Sequence, residues 1–426
     1  MKTGQLDVLL GLQWGDEGKG KVVDYLSSRY DIVARYQGGP NAGHTVVVDG
    51  KNVVLHTIPS GIFHDEVKNL IGNGVVVDPI ILQHEFEMLH QLGIDAKERV
   101  YLSRRVHLIL PTHRWLDLAS EAAKKKNKIG STLRGIGPTY MDKTGRNGIR
   151  VGDLFTKGFV EQYQNLKSKH LRLLEMYPPV EFPLEEEEEK WWNAIDFVRT
   201  LQIVDGELWI WQALEHNARI LAEGAQGAML DLDYGTYPYV TSSYTGSAGV
   251  CIGLGVPPSY IDEVIGIAKA YTTRVGSGPF PTEIEGEMAE YLRQRGHEYG
   301  ATTGRPRRCG WLDLVQLRYS ARLNGVKRII LTKLDVLDEL EEIPYAKAYK
   351  IDNTISTSMP YRLDAVPIHP VYITTEGWRT SLDHITSWED LPGEVLDYVE
   401  LIQHSVEVPI HAVSVGPERH QLIPRY

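Results

Sequence analysis

Leu9-Leu10-Gly11-Leu12-Gln13-Trp14-Gly15-Asp16-Glu17-Gly18-Lys19-Gly20-Lys21 is the stretch that decides the fold. The apolar run Asp7 to Leu12 predicts a buried strand, and Val22 to Ser28 predicts the first turns of a helix. Between them lies a turn with Gly15, Gly18, Gly20 and two lysines, Lys19 and Lys21. Strand, glycine turn and helix in succession aim several backbone N–H groups at one phosphate. Gly15-xxxx-Gly20-Lys21 meets most of the P-loop pattern. Val22 departs from it, standing where a Ser or Thr hydroxyl would hold magnesium. A metal here needs another oxygen, and Asp16 within the loop supplies one. The plain alternative is a glycine turn that only joins strand to helix. Two lysines, an Asp and a Glu packed into the turn favour the phosphate reading.

The 426 residues are 42% apolar, enough for a sizeable core. Length allows roughly two to three domains or one large α/β sheet. No shift in composition marks a clean boundary, and residues 1–426 are read as a single domain. A net charge of −11 argues against general nucleic-acid or membrane-surface binding. An anionic ligand must then meet a local cluster of basic side chains. Cys251 and Cys309 make neither a disulfide framework nor a metal-ligand spacing. No signal-peptide pattern opens the chain and no run is long enough to span a bilayer, so a cytoplasmic protein is expected.

Further along, Asp31 to Tyr36 predicts a second strand, running into a second glycine-rich turn, Gln37 to Thr45, with Asn41 and His44. Val46 to Val48 and Val53 to Ile58 predict a hairpin, and Pro79 to about Leu92 a helix. Val100 to Leu110 reads as strand and Trp115 to Lys126 as helix. Ile129 to Asn147 is glycine-rich and too long for a simple connector. Arg134, Lys143 and Arg146 make it a candidate anion-binding loop, against the alternative of an exposed flexible loop. Residues 155–214 read as a helical insert with a solvated glutamate run.

Gln226, between Gly224 and Gly227, offers an amide to a polar ligand. Asp233 to Ser243 is a loop dense in hydroxyls. The arginines and threonines of Ala301 to Trp311 suit bidentate capture of carboxylate or phosphate. Arg328 to Leu331 is a buried-type strand, which puts Thr332-Lys333-Leu334-Asp335 at its carboxyl end, where open α/β sheets bind ligands. An Asp there accepts from N1–H and the 2-amino group of guanine, a pair that adenine lacks, so Asp335 would select GTP over ATP. Ser414 to Pro417 is a small turn that either lies against the base or is plain. The fold class is therefore α/β: a large, mostly parallel central sheet flanked by helices, P-loop-NTPase-like, with helical and loop insertions.

The motifs also occur as an ordered set. Trp14 to Lys21, Asn41-Ala42-Gly43-His44-Thr45 and Arg134-Gly135-Ile136-Gly137-Pro138 come first. Glu223 to Gly227, Gly235 to Ser243, Thr273 to Gly276, Pro279 to Glu283, Ala301 to Arg305 and Thr332 to Asp335 follow. With these the chain resembles the adenylosuccinate synthetases nearly end to end; only residues 155–214 lack such a motif. The resemblance implies that IMP, L-aspartate and GTP give adenylosuccinate, GDP and phosphate, the first step from IMP to AMP. Asp16 would take the N1 proton of IMP, so that the 6-oxygen attacks the γ-phosphate and forms a 6-phosphoryl intermediate. His44 would be the acid partner, an imidazole titrating near neutrality. The amino group of aspartate then displaces phosphate.

The remaining roles follow from the same resemblance. Magnesium is the implied cofactor, held by Asp16 and the Gly43 carbonyl. GTP phosphates would meet Gly15, Asp16, Glu17, Gly18, Lys19, Gly20 and Lys21, then Gly43, His44 and Thr45, with Arg307 nearby. Its guanine would lie on Lys333, Leu334 and Asp335, with Ser414, Val415 and Gly416. IMP would be held by Asp16 to Lys19, Asn41, Ala42, Gly43, His44, Thr132, Gln226, Thr241 and Arg305. Arg146 would reach IMP from the other subunit of a homodimer. Ala301, Thr302, Thr303, Gly304, Arg305, Pro306 and Arg307 would close on aspartate.

Three positions depart from the family pattern. Leu133 stands where glycine is expected, Pro306 interrupts an arginine run, and Pro40 replaces a frequent His or Asn. Two other readings stay open: a GTP-binding switch, which Val22 argues against, and a related ligase for a 2-amino purine nucleotide, which Asp16 argues against.

Overall fold

The computed structural model describes residues 3–48, 50–125, 128–300 and 304–425. At its centre is the strand Gln5–Gly11, covered on both faces. Leu6, Val8 and Leu10 face one core cluster, and Leu9 faces another that includes Val22, Val23 and Leu26 of the following helix. A strand buried on both sides reads as a continuous apolar run, which is why this one stands out in the sequence.

Ten strands form the main sheet. From one edge to the other they run 422–424, 410–414, 328–332, 263–269, 5–11, 219–223, 32–35, 68–71, 100–103 and 202–204. Every neighbouring pair is parallel except the first, where Leu422–Pro424 runs against Ile410–Ser414. Parallel pairing gathers the carboxyl ends of these strands on one edge: Gly11, Arg35, Glu223, Lys269, Thr332 and Ser414. The chain folds as the mostly parallel α/β sheet expected.

The first helix is Lys19–Ser27, opened by Gly18 at φ 88°, a conformation that favours glycine. The hairpin pairs His44–Val48 with Lys51–Leu55, so it begins earlier than the apolar pattern predicts and includes His44. The stretch 129–147, read as a loop, contains a helix, Ile136–Thr144. Its glycines hid it: Gly135 opens the helix at φ 75°, and Ile136 and Thr139 are buried. Residues 155–214 supply helices Phe159–Leu174, Leu184–Val198 and Gly206–Glu215, and also the edge strand Gln202–Val204. Within the glutamate run, Glu187 pairs with Arg114 at 2.5 Å and Glu188 with Lys167 at 2.7 Å. Among the described residues, no helix is long and apolar enough to cross a membrane. Cys251 and Cys309 are both free thiols.

Candidate active site

One cavity of about 1410 Å³ opens at the carboxyl edge of the sheet. That is larger than one small-ligand pocket of roughly 300–1,000 Å³ and leaves room for several substrates. Its wall includes Gly15 to Lys21, Asn41 to Thr45, Thr132, Gln226, Thr241, Arg307, Lys333, Asp335, Ser414 and Gly416. Asp16 and His44 thus face the same space, although 27 positions of chain separate them.

The glycine-rich turn Gly15 to Lys21 is shaped from within by Glu17. Its fully buried carboxylate accepts from the backbone N–H groups of Gln13 (3.1 Å) and Gly15 (2.9 Å) and from Lys19 Nζ at 2.5 Å. Lys21 points to the other end of the cavity, where Nζ donates to Ser414 Oγ and the Gly416 carbonyl. Burial lowers its pKa to about 8, and Asp335 partly opposes that. Asp335 keeps one buried carboxylate oxygen without a hydrogen-bond partner among the described residues. Burial raises its pKa, against the pull of Lys333 and Lys21.

His44 Nδ1 lies 2.5 Å from Glu223 Oε1, and Glu223 also accepts from the Ser60 N–H (2.8 Å) and hydroxyl (2.7 Å). The Glu223 pKa is lowered: burial pushes up, but His44 and Arg35 outweigh it. An ionised carboxylate only accepts, so the proton of the neutral ring sits on Nδ1, and the lone pair of Nε2 is left without a partner. Burial, helped by Arg35, depresses the His44 pKa to about 4. Burial thus holds the ring in its neutral form at pH 7, its pKa below the ordinary imidazole range.

Other orphaned polar atoms gather in the same wall. Asn41 Oδ1 and both amide atoms of Gln226 are buried without partners among the described residues. Asn41 Nδ2 reaches Thr241 Oγ1 only at 3.4 Å. Buried polar groups are normally satisfied, so this concentration marks where a polar ligand belongs. Backbone strain gathers there too. Asp16, Gln226 and Lys333 are non-glycine residues at φ 62°, 56° and 68°. Leu133 sits at φ 58°, the conformation that the expected glycine would adopt without strain. Pro306 costs no hydrogen bond, because the ladder at that turn runs from Gly300 N to Arg305 O and from Arg307 N to Glu298 O.

Several expected residues lie off the cavity wall. Leu334 and Val415 are buried in the core. Arg305 donates to the Ser131 carbonyl at 3.1 Å, bridging to the 129–147 stretch. Gly304 and Pro306 belong to the turn beside it, while Ala301, Thr302 and Thr303 lie outside the described residues. Arg146 is exposed at φ 63° and does not line the cavity of its own chain. Sequence reasoning missed Glu223 as the His44 partner and Arg274, whose buried guanidinium donates to Thr236 Oγ1 and the Tyr239 carbonyl, both at 3.0 Å. The signal for Glu223 was a charged residue ending an apolar strand.

Away from these groups, His113, Asp142 and His170 lie close enough together to suggest a metal site. Their atoms are otherwise engaged. Both rings contact Asp142 Oδ2, His113 Nδ1 accepts from Leu110 N, and His170 Nδ1 meets Thr112 Oγ1. Lys169 already neutralises the carboxylate.

Comparison with known proteins agrees with this geometry. The adenylosuccinate synthetase family model matches residues 8–423. An adenylosuccinate synthetase of Christiangramia forsetii is 53% identical over 421 residues, 99% of this chain and 100% of the relative. One from Flavobacterium johnsoniae is 52% identical over 419 residues, covering 98% and 99% of the two chains. A solved structure of fully ligated adenylosuccinate synthetase from Plasmodium falciparum superposes with a TM-score of 0.93 at 39% identity, over 99% of this chain and 100% of that one. A cyanophage S-2L succinoaminodeoxyadenylate synthetase, at 20% identity and a TM-score of 0.64, covering 99% and 95%, shares the fold alone. The chain belongs to the adenylosuccinate synthetase family, enzymes that join IMP to L-aspartate with GTP on the route to AMP.

Proposed function

We propose that Asp16 and His44 carry the chemistry of this ligase from within the one cavity that both line. The oxygen at C6 of IMP is a poor leaving group until it is phosphorylated. Asp16 takes the N1 proton, and the 6-oxygen then attacks the γ-phosphate. GDP leaves, and the aspartate amine displaces phosphate from the 6-phosphoryl intermediate. Lys19, Lys21 and the loop N–H groups orient the phosphates, so positioning supplies much of the rate.

His44 acts as a proton donor once the triphosphate is beside it. Phosphate oxygens against Nε2 raise a pKa that burial holds at about 4, and Glu223 on Nδ1 steadies the imidazolium. Magnesium fits the donor set: the Asp16 carboxylate and Gly43 carbonyl are hard oxygen ligands on the same wall. When bound it neutralises charge on phosphate oxygens. Asp335, with its unpartnered oxygen, reads guanine, while Asn41, Gln226 and Thr241 hold IMP.

The proposal includes a homodimer in which Arg146 enters the partner's IMP site, supported by its exposure away from its own cavity. It treats 1–426 as one catalytic unit, because the cavity draws on residues from Trp14 to Pro417, with 155–214 an insert in it. A cytoplasmic location belongs to it too, in keeping with two unpaired cysteines.

The observation that carries the reading is that the candidate base, the candidate acid and the phosphate loop share one wall. The test is an absorbance assay for adenylosuccinate with each component omitted in turn. Product is expected only when IMP, aspartate, GTP and magnesium are all present. GTP hydrolysis without IMP or aspartate, and no adenylosuccinate, would favour a switch instead.

A further inference from the structure

Glu298 lies outside every role assigned above, yet it is fully buried and carries three side-chain partners. Its Oε1 accepts from Lys269 Nζ at 2.8 Å and from the Tyr271 hydroxyl at 2.5 Å. Its Oε2 accepts from Arg307 Nη1 at 2.6 Å. Lys269 is itself buried and donates to Thr273 Oγ1 at 2.6 Å, so the far end of this network is fixed in the sheet. Arg307 has a second acid: its Nε is 2.8 Å from Asp16 Oδ2. Four alternating charges, Lys269, Glu298, Arg307 and Asp16, therefore run from a sheet strand to the phosphate loop.

The backbone of the same pair is also joined, and the described residues next to it pair in the same way. Arg307 N donates to the Glu298 carbonyl at 2.9 Å, and Gly300 N to the Arg305 carbonyl at 2.8 Å. Burial would raise the Glu298 pKa, but Lys269, Lys333 and Arg307 hold it down at about 2, so the group stays charged. Lys269 and Tyr271 both bond Oε1, while Oε2 is held by a guanidinium in the cavity wall.

Resting on the reading of Asp16 as base and 301–307 as aspartate loop, we infer that Glu298 is a positioning residue. It fixes the Arg307 guanidinium and so links the loop that receives aspartate to the group that starts phosphoryl transfer. When Asp16 turns to the N1 proton of IMP, Arg307 keeps Glu298 and hands its Nε to the carboxylate of the incoming aspartate.

Steady-state kinetics on the full chain test this with Glu298→Gln, Arg307→Lys and the double variant, each checked by thermal melting. Glu298→Gln is expected to raise the KM for aspartate about tenfold or more in the wild-type background. In the Arg307→Lys background it is expected to add less than about twofold, since both changes act through one guanidinium. An unchanged KM, or the same fold-change in both backgrounds, overturns the inference. Should the Gln variant fail to fold, Glu298→Asp keeps the charge and withdraws it from Arg307, and the same cycle is read with the same outcomes. If Arg307→Lys alone leaves the aspartate KM untouched, the loop assignment fails and the inference falls with it. If only the Glu298 change is silent, the site reading stands and the inference alone fails.

Discussion

On the proposed mechanism, His44 depends on a neighbour that does not line the cavity. Glu223 fixes the proton on Nδ1 and leaves Nε2 as the atom free to meet a phosphate, among the described residues. Glu223→Gln keeps an acceptor for the ring and the Ser60 hydroxyl, sets its NH2 against the Ser60 N–H, and loses the charge that steadies the imidazolium. Its kcat is expected to fall roughly 10²-fold or more with the GTP KM little changed, as when the orienting acid of a triad is neutralised. An unaltered kcat in stopped or steady-state assays would show that Glu223 serves only the fold. Asp16→Ala is expected to lose roughly 10³-fold or more in turnover, the scale of a general base. Its melting temperature should stay near that of the wild type, because Asp16 is partly exposed and at the cavity wall. Near-normal turnover in that variant removes Asp16 from the role of base. Pattern alone marked two glycine-rich turns after apolar strands, while the roles expected of Asp16 and His44 came from the family resemblance. The depressed pKa of His44 was not legible, because burial and Arg35 act on it only after the strands 32–35 and 219–223 pair.

At the scale of elements, local pattern gave the central strand, the phosphate turn and the first helix. It failed where glycine serves two purposes. The helix Ile136–Thr144 begins at a left-handed glycine and contains Gly137 and Pro138, which read as loop until Ile136 finds its apolar neighbours. The strand Gln202–Val204 was equally hidden, because its three residues become a strand only by pairing with Val100–Ser103. The tryptophan-rich helices beside it have a separate job. Trp191 is buried, packs at a tilt on Tyr163 and edge-to-face on Trp192 at centroid distances of 5.0 Å each, and donates to the Ile109 carbonyl at 2.8 Å. Trp191→Ala is expected to destabilise by about 3–5 kcal/mol, read as a lower denaturant midpoint, through the cavity it leaves. The KM values of the folded fraction should hold, since Trp191 does not line the substrate cavity. A large KM change at unchanged stability would give this stretch a part in catalysis instead.

For the whole molecule, buried neutral histidines set the acid limit. Burial, then Lys143 and Arg150, press the His107 pKa to about 3, and burial presses His44 to about 4. Both values lie below that of the unfolded chain, near 6.5, so the unfolded state binds the extra protons. Their contribution is full above pH 6.5 and is lost as pH falls toward 4 and then 3, on the order of 3 kcal/mol for His44 and about 5 kcal/mol for His107. Thermal melts between pH 7 and 4 should show this slope, and His107→Leu should flatten it. An unchanged slope in that variant assigns acid sensitivity elsewhere. The proposed dimer makes a prediction of its own. Arg146→Leu and Asp16→Ala chains, each inactive, should regain part of the activity when mixed, because one hybrid site then holds both wild-type groups. Verified hybrids that stay inactive argue against a shared site.

Phosphoryl transfer to IMP can be followed by one oxygen atom. IMP labelled with ¹⁸O at position 6 is turned over with GTP, magnesium and aspartate, and the released phosphate is analysed by mass. If Asp16 frees the 6-oxygen to attack the γ-phosphate, each phosphate carries one labelled oxygen. Unlabelled phosphate accompanying adenylosuccinate would contradict the mechanism at its centre.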